Sequence, residues 1–309
     1  VRVIVPSYAK LNLDLRVLDK RPDQFHDLRT IFQTISLRDT LQIELAFAKQ
    51  TQIDLSSSID IENNLVVRAA KLVVDALRLK IWVRFVLSKQ IPMGAGLGGG
   101  SSNAAAVLLA LPALAGKRLP LAELIRFAET LGSDVPFFLH GGTALGLGRG
   151  TEVYPLPDLP AHHVLVVYTG IHVSTPEAYR ALNRDVTNAL TSQATSPILR
   201  EFQTVSWTLA GSSLEKIPLK NDFESVVFKQ HPNLAAAVRK LKRLGAKPAL
   251  MTGSGSAVFG IFGSRAECLA AGKAFPAGQA YPIRFVKRGE YQRRWLRALG
   301  PAAKASCFA

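Results

Sequence analysis

Apolar and polar residues alternate near the start of the chain, with Leu11, Leu13, Leu15 and Val17 on one face and Leu41, Ile43 and Leu45 on a later one. A repeat of two is that of a half-buried strand, so two antiparallel strands are expected. The polar segment KRPDQFHDL (20–28) lies between them and holds Pro22, which marks a loop or turn. Asn63 or Asn64 can cap a helix whose apolar face is Leu65, Ala69, Leu72, Val73 and Ala76. Ile81, Val83, Phe85 and Leu87 alternate again and predict a strand, followed by a glycine-rich loop. A helix is predicted from Ser101 to Leu111 with Ser101 or Ser102 as cap. Another near Leu121 to Leu131 is expected to stop at Gly132 in a left-handed conformation.

PLPDLPAHH (155–163) is the candidate domain boundary, dividing the chain into 1–156 and 157–309. Beyond it the pattern predicts a strand at 164–167 and several helices, one of them from Asn233 to Leu244. A strand near Ala249, a second glycine loop, the strand AVFGIF, a helix and the strand IRFVKR follow. The tail after Gly300 has no periodicity and is expected to be disordered. Strands and helices mix without strict alternation, which gives an α+β class, and no internal repeat is visible.

With 309 residues, 48% of them hydrophobic, the chain can bury a large core and favours two domains. A net charge of +15 makes an anionic partner more natural than a cationic one, although many basic proteins have no such partner. Two cysteines, Cys268 and Cys307, are too few for a disulfide framework, so a reducing, cytoplasmic setting is expected. The apolar run 104–115 is too short to span a bilayer, and no secretory signal is visible; no membrane association is expected.

The strongest local signal is PMGAGLGGGSSNAAA (92–106), where five glycines join a predicted strand to a predicted helix. Glycine tolerates positive φ and lets backbone N–H groups approach a phosphate, and a helix start adds unpaired donors and positive dipole. A Walker loop would end in Gly-Lys-Ser or Gly-Lys-Thr, and no lysine is present. Gly94, Gly96 and Gly99 fit G-x-G-x-x-G, but a dinucleotide fold places that pattern after its first strand, and several strands precede it here. Protein kinases are excluded because no H-R-D or D-F-G follows.

This loop closely resembles the ATP-binding loop of the GHMP kinases. Further segments similar to that family are AKLNLDL (9–15), RPDQFHDL (21–28), NNLVVRAA (63–70), LGSDVPFFL (131–139), STPEAY (174–179), NDFE (221–224) and MTGSGSAVFG (251–260). The resemblance implies a two-domain GHMP kinase fold. Its N-terminal ATP-binding and catalytic domain is a ribosomal-protein-like βα fold, and its C-terminal domain is an α/β sandwich. RPDQFHDL and STPEAY resemble in particular those members whose small-molecule substrate carries a cytidine diphosphate group.

Transferring a phosphoryl group to an alcohol needs a positioned hydroxyl, a proton acceptor and positive charge. By resemblance Asp134 is the catalytic aspartate and Lys10 stands beside it. From the residues alone, Asp134 could equally cap a short helix at Val135-Pro136, and Lys10 could be a solvated strand lysine. Asn12 is two residues on and so faces the same side as Lys10. The resemblance assigns ATP to the loop residues Pro92, Gly94, Gly96, Leu97, Gly98, Gly99 and Gly100, together with Asn64, Lys89 and Asn103. Ser101 or Ser102 is expected close to the phosphates and to a Mg²⁺ that phosphoryl transfer implies, with no dedicated carboxylate cage. Gly253, Ser254 and Gly255 of the second glycine loop, with Thr175, are expected to close over the substrate; that loop is also compatible with a plain tight turn. Phe25, His26 and Tyr179 would hold the base, the aromatic faces stacking and His26 reading the pyrimidine edge; the family usually carries tyrosine at the position of Phe25. A basic nucleic-acid binder is the rival class, prompted by the charge and by KRGEYQRRWLR (287–297). Against it, the charge is spread along the chain and a bare binder needs no paired glycine loops; no nucleic acid is expected, and the chain is expected to be a monomer or weak homodimer.

Overall fold

In a computed structural model that describes residues 1–21, 23, 25–59, 61–182, 214 and 217–308, the alternating N-terminal segments form one long antiparallel pair. β1 (Arg2–Lys20) and β2 (His26–Phe47) run with Val5 opposite Leu41 and Val17 opposite Leu28. The turn is shorter than the polar segment suggested, because β2 already begins at His26; Pro22 lies outside the described residues. β2 is long enough to pair with three strands: β1 along its length, β4 (Ile81–Ser88) with its C-terminal half and β5 (Thr143–Leu147) with its N-terminal half. β3 (Gln52–Ser57) adds to β4 in parallel, and β6 (Glu152–Pro155) adds to β5.

One face of this sheet is covered by α1 (Leu65–Ala76), α2 (Gly99–Leu114), α3 (Leu121–Leu131) and the short α4 (Val135–Phe138). Asn64 caps α1, its Oδ1 accepting from the Val66 N–H at 3.0 Å. α2 is apolar almost all round, as a helix buried on every side must be. It starts two residues before the expected Ser101. Its cap is Gly98 at φ +71°, with no side-chain cap bond, so neither Ser101 nor Ser102 caps it. α3 has the expected bounds, but Gly132 stops it in extended rather than left-handed backbone (φ 161°).

The segment 155–163 leads into a second sheet of β7 (His163–Val167), β8 (Ala249–Met251), β9 (Val258–Phe262) and β10 (Ala280–Arg284), in the order β10-β7-β9-β8. Strand alternation sorts its side chains between two cores. Val164, Val166, Phe259 and Ile261 face Leu11, Leu13, Ile31 and Ile35 of the first sheet. Leu165, Val167, Val258 and Phe262 face outward, into a core shared with α5 (Thr175–Leu182), α6 (Glu224–Gln230), α7 (Pro232–Arg243) and α8 (Arg265–Gly272). The layers are therefore helix, sheet, sheet, helix, and the inner sheets meet along β1 and β2.

Three expectations for the C-terminal part are corrected. The strand expected at IRFVKR sits earlier, at Ala280–Arg284; Phe285 then bridges to Ile35, and the Val286 N–H bonds the Thr34 carbonyl at 2.9 Å. KRGEYQRRWLR forms most of α9 (Arg288–Leu299), whose Tyr291, Trp295 and Leu299 return to the first core at helical spacing. The tail is not disordered through Phe308: Gly300–Ala305 is a 3₁₀ turn, and Ala302, Ala303, Cys307 and Phe308 pack on that core. Docking on a finished surface supplies contacts that need no periodicity. Among the described residues no helix is long and apolar enough to cross a membrane.

Candidate active site

Lys10 sits in β1 between two register irregularities, Tyr8/Lys10 and Asn12/Asp14, where it is only 3% exposed. An ammonium so buried needs partners. Its Nζ donates to Asn12 Oδ1 at 2.5 Å and lies 3.2 Å from Asp134 Oδ2. Asn12 is oriented in turn, its Nδ2 donating to Thr30 Oγ1 at 2.7 Å and its backbone N–H to Thr252 Oγ1 at 2.9 Å. Asp134 does stand just before α4, but its side chain makes no cap bond. The carboxylate turns to Lys10 instead, so it does not cap the helix. All three open into a cleft of about 840 Å³ between the two sheets.

The glycine loop crosses the floor of this cleft. Gly94, Gly96 and Gly98 have φ of +65°, +75° and +71°. At Gly96 a Cβ would stand 2.5 Å from the Thr252 carbonyl oxygen, so the first glycine loop is pressed against the second. Backbone bonds lock the contact: Lys10 N–H to Leu97 O at 3.0 Å and Ala257 N–H to Ala95 O at 3.1 Å. A Cβ on Gly98 would meet Phe138 Cζ at 2.9 Å and Lys10 Cγ at 3.1 Å. This glycine therefore lets the loop pack on the lysine, besides freeing backbone donors. Gly96 and Ser101 reach the cleft wall, where the start of α2 presents N–H groups without intrahelical partners. Pro92, Gly94 and Leu97 build the loop behind that wall and Gly99 and Gly100 open α2; Leu97 is a core residue and Gly94 backs onto His172.

The other end of the cleft is aromatic. Phe25 is 49% exposed, and the Arg149 guanidinium lies 3.6 Å above its ring centroid. His26 and Tyr179 stack at 5.0 Å and 19°, and Tyr179 meets Phe223 edge-on at 4.8 Å. His26 was expected to stand at a base edge between aromatic faces; here its own ring covers a face of Tyr179. Burial, and secondarily the charge of Asp134, push the Tyr179 phenol up to about 12. Thr175 Oγ1 shares a hydrogen bond of 2.7 Å with Ser254 Oγ, and both residues line the cleft with Gly253. Gly255 lies behind, against Met251.

Residues 64–142 match the description "GHMP kinases N terminal domain", and residues 200–275 match "GHMP kinases C terminal". A relative from Solibacter usitatus (strain Ellin6076), named 4-diphosphocytidyl-2-C-methyl-D-erythritol kinase, is 52% identical over 302 residues, covering 98% of this chain and 94% of its own. The chain belongs to the GHMP kinases. A second relative of that name, from Acaryochloris marina (strain MBIC 11017), is 39% identical over 84% of this chain and 86% of its own. A solved 4-(cytidine 5'-diphospho)-2C-methyl-D-erythritol kinase superposes with a TM-score of 0.74 at 35% identity, covering 91% of this chain and 98% of its own. A homoserine kinase from Cytophaga hutchinsonii reaches 0.71 at 19% identity, which shows the shared fold alone.

As a GHMP kinase the chain is a phosphotransferase, and its other motif residues fall into place around the loop. Lys89 is beneath it, 4% exposed, with Nζ bonded to Asp39 Oδ2 at 2.5 Å and Asn103 Oδ1 at 3.2 Å. Asp39, which lies in none of the sequence motifs, also accepts the N–H groups of Gln90 and Ile91 and the Asn103 amide, at 2.7, 2.8 and 3.0 Å. Ser102 is buried and accepts a hydrogen bond from Ser7 at 3.0 Å. Lys89 and Asn103 thus brace the loop from below. Asn64 caps α1, whose first residue Leu65 lies against Gly100. NDFE is a second brace: Asn221 Nδ2 holds the carbonyls of Met251 and Gly253 at 2.8 Å each, and Glu224 accepts the Met251 N–H at 2.7 Å. Burial raises the Glu224 carboxyl above its ordinary range, with the Met251 bond opposing it. Arg149 and Phe223 escaped the sequence reading; Phe223 lies inside NDFE, and that motif was its only signal.

Proposed function

We propose that this GHMP kinase transfers the γ-phosphoryl group of ATP to the 2-hydroxyl of 4-diphosphocytidyl-2-C-methyl-D-erythritol, a step of the non-mevalonate route to isoprenoid precursors. The observation that carries the reading is a single cleft with the Lys10–Asp134 pair at one end and the Phe25, His26 and Tyr179 rings at the other. The names of the full-length relatives support it. The reading divides the chain into 1–156 and 157–309, with α9 returning to brace the first part, and keeps a cytoplasmic monomer or weak homodimer as its setting.

In this reading Asp134 takes the hydroxyl proton, while the Lys10 ammonium beside it stabilises the alkoxide that forms. Asn12 fixes Lys10 and offers a hydrogen bond to the alcohol. The N–H groups of the first glycine loop and the start of α2 cradle the β- and γ-phosphates, and the second glycine loop shields them. No group of three or more His, Cys, Asp or Glu that could hold a metal is found among the described residues. A Mg²⁺ brought with the nucleotide would find Ser101 and Asp134 among the oxygen donors of the cleft wall. When bound, it neutralises triphosphate charge.

ATP consumption tests the reading with four alcohols: the cytidyl methylerythritol, galactose, homoserine and mevalonate. Turnover with the first and background rates with the others is expected. Comparable turnover with any of the other three overturns the assignment.

A further inference from the structure

The cytidyl reading leaves one part of its substrate without a partner: the diphosphate between base and reacting alcohol. Three cationic side chains, Lys10, Arg149 and Arg180, stand among the described residues of the cleft wall. Lys10 is committed to Asp134 and Asn12. Arg180 is 76% exposed and leans toward Glu177 at 3.9 Å. Arg149 makes no contact ion pair among the described residues; its guanidinium acts on the Asp23 carboxylate only at longer range. The two acids that flank Phe25, Asp23 in the turn and Asp27 in β2, pair with Arg21 at 3.2 and 2.8 Å.

Arg149 is also placed deliberately. It is the tip of the β5–β6 hairpin, between Gly148 at φ +61° and Gly150 at φ +88°. The Leu28 N–H donates to Gly148 O at 2.7 Å, and a Cβ on Gly150 would touch Leu28 at 3.6 Å and Ser133, the neighbour of Asp134, at 3.9 Å. The tip is thus docked between the base end and the transfer end. A guanidinium lying 3.6 Å over an aromatic ring spends its face on that ring and keeps its N–H donors in plane, where they match phosphate oxygens in pairs.

We propose that Arg149 is a specificity-determining residue that binds the substrate's diphosphate while stacked on Phe25. The proposal rests on the cytidyl reading. It also accounts for phenylalanine at position 25, since a partner stacked on the ring face needs no phenolic oxygen.

The test is calorimetric titration of cytidine and of cytidine 5'-diphosphate into the full chain, with the ATP loop saturated by β,γ-imido-ATP. Wild type, Arg149→Met and Arg149→Lys are compared, each checked by thermal melting. Wild type should favour the diphosphate about tenfold or more, the scale of charge-assisted hydrogen bonds to a buried anion. Arg149→Met should erase most of that preference while cytidine affinity stays within about twofold. Arg149→Lys should fall between, because it keeps charge but loses the fork and the stack. A preference undiminished in Arg149→Met overturns the proposal and leaves the cytidyl reading intact. Equal weakening of both ligands also overturns it, since Arg149 then acts only through Phe25. A folded wild type that binds neither ligand sinks the cytidyl reading and this proposal together.

Discussion

The two ends of the cleft are built in opposite ways. At the proposed transfer end Lys10, Asn12, Asn103 and Asp39 and the side chain of Lys89 are each no more than 4% exposed, and every one is held by at least two polar contacts. At the base end Phe25 is half exposed, and its neighbours are rings and a guanidinium in stacking contact. Directional bonds in a water-poor setting fix charges before the substrate arrives, which phosphoryl transfer requires. Stacking is tolerant of small shifts, so it suits a wall that, in the proposed function, supplies affinity.

The largest effect that can break this contrast is expected at Asp134. Asp134→Asn should slow turnover by roughly two to four orders of magnitude, the scale of losing a general base. Its melting temperature should fall only modestly, because the side chain makes no cap bond and the amide oxygen can still accept from the Lys10 ammonium. A variant that keeps its turnover but melts early would return Asp134 to a helix-capping role.

Gly98→Val comes next. Its Cβ would collide with Phe138 and with Lys10, and the residue has a positive φ, so a destabilisation of about 1 to 3 kcal/mol is expected by denaturant titration. Turnover should fall further than stability does, since Lys10 must shift. Equal losses in both would mean that the loop does not position the lysine.

At the base end Tyr179→Ala should cost about 1 to 3 kcal/mol of substrate affinity, the scale of one base stack, with ATP affinity unchanged in equilibrium titration. Tyr179→Phe is the smallest change. The phenol is pushed up to about 12, first by burial and then by Asp134, from an ordinary 10.0. The folded state therefore holds this proton more tightly than the unfolded state. The associated stability is present below pH 10 and lost as pH rises toward 12. Between pH 6 and 9 the rate profile of Tyr179→Phe should overlay that of wild type within about twofold; an altered alkaline limb would assign the phenol a role in proton transfer.

Residues that work within one local pattern were legible from sequence. Lys10 and Asn12 share a strand face, Asp134 precedes a proline at a helix start, and the five glycines announce their own backbone geometry. Asp39 was not legible, because its partners Lys89 and Asn103 are 50 and 64 residues away. Arg149 and Phe223 join the cleft only after the β5–β6 hairpin and the NDFE segment fold against β1 and β2. α9 was masked by charge: its arginines suggested an anion-binding run, yet Tyr291, Trp295 and Leu299 carry the four-residue spacing of a buried stripe. The apolar residues Phe285 and Val286 extended the apparent last strand, but the chain leaves the second sheet there to bond Thr34 of the first.

Steady-state kinetics of Asp134→Asn and Tyr179→Ala, side by side with wild type and the cytidyl methylerythritol as substrate, test the division of the cleft most directly. The account predicts that Asp134→Asn lowers kcat by roughly two to four orders of magnitude with both KM values little changed, while Tyr179→Ala raises the KM of the alcohol alone by about ten- to a hundredfold. If both substitutions act on the same parameter, or Tyr179→Ala leaves that KM unmoved, the cleft does not separate transfer from base recognition.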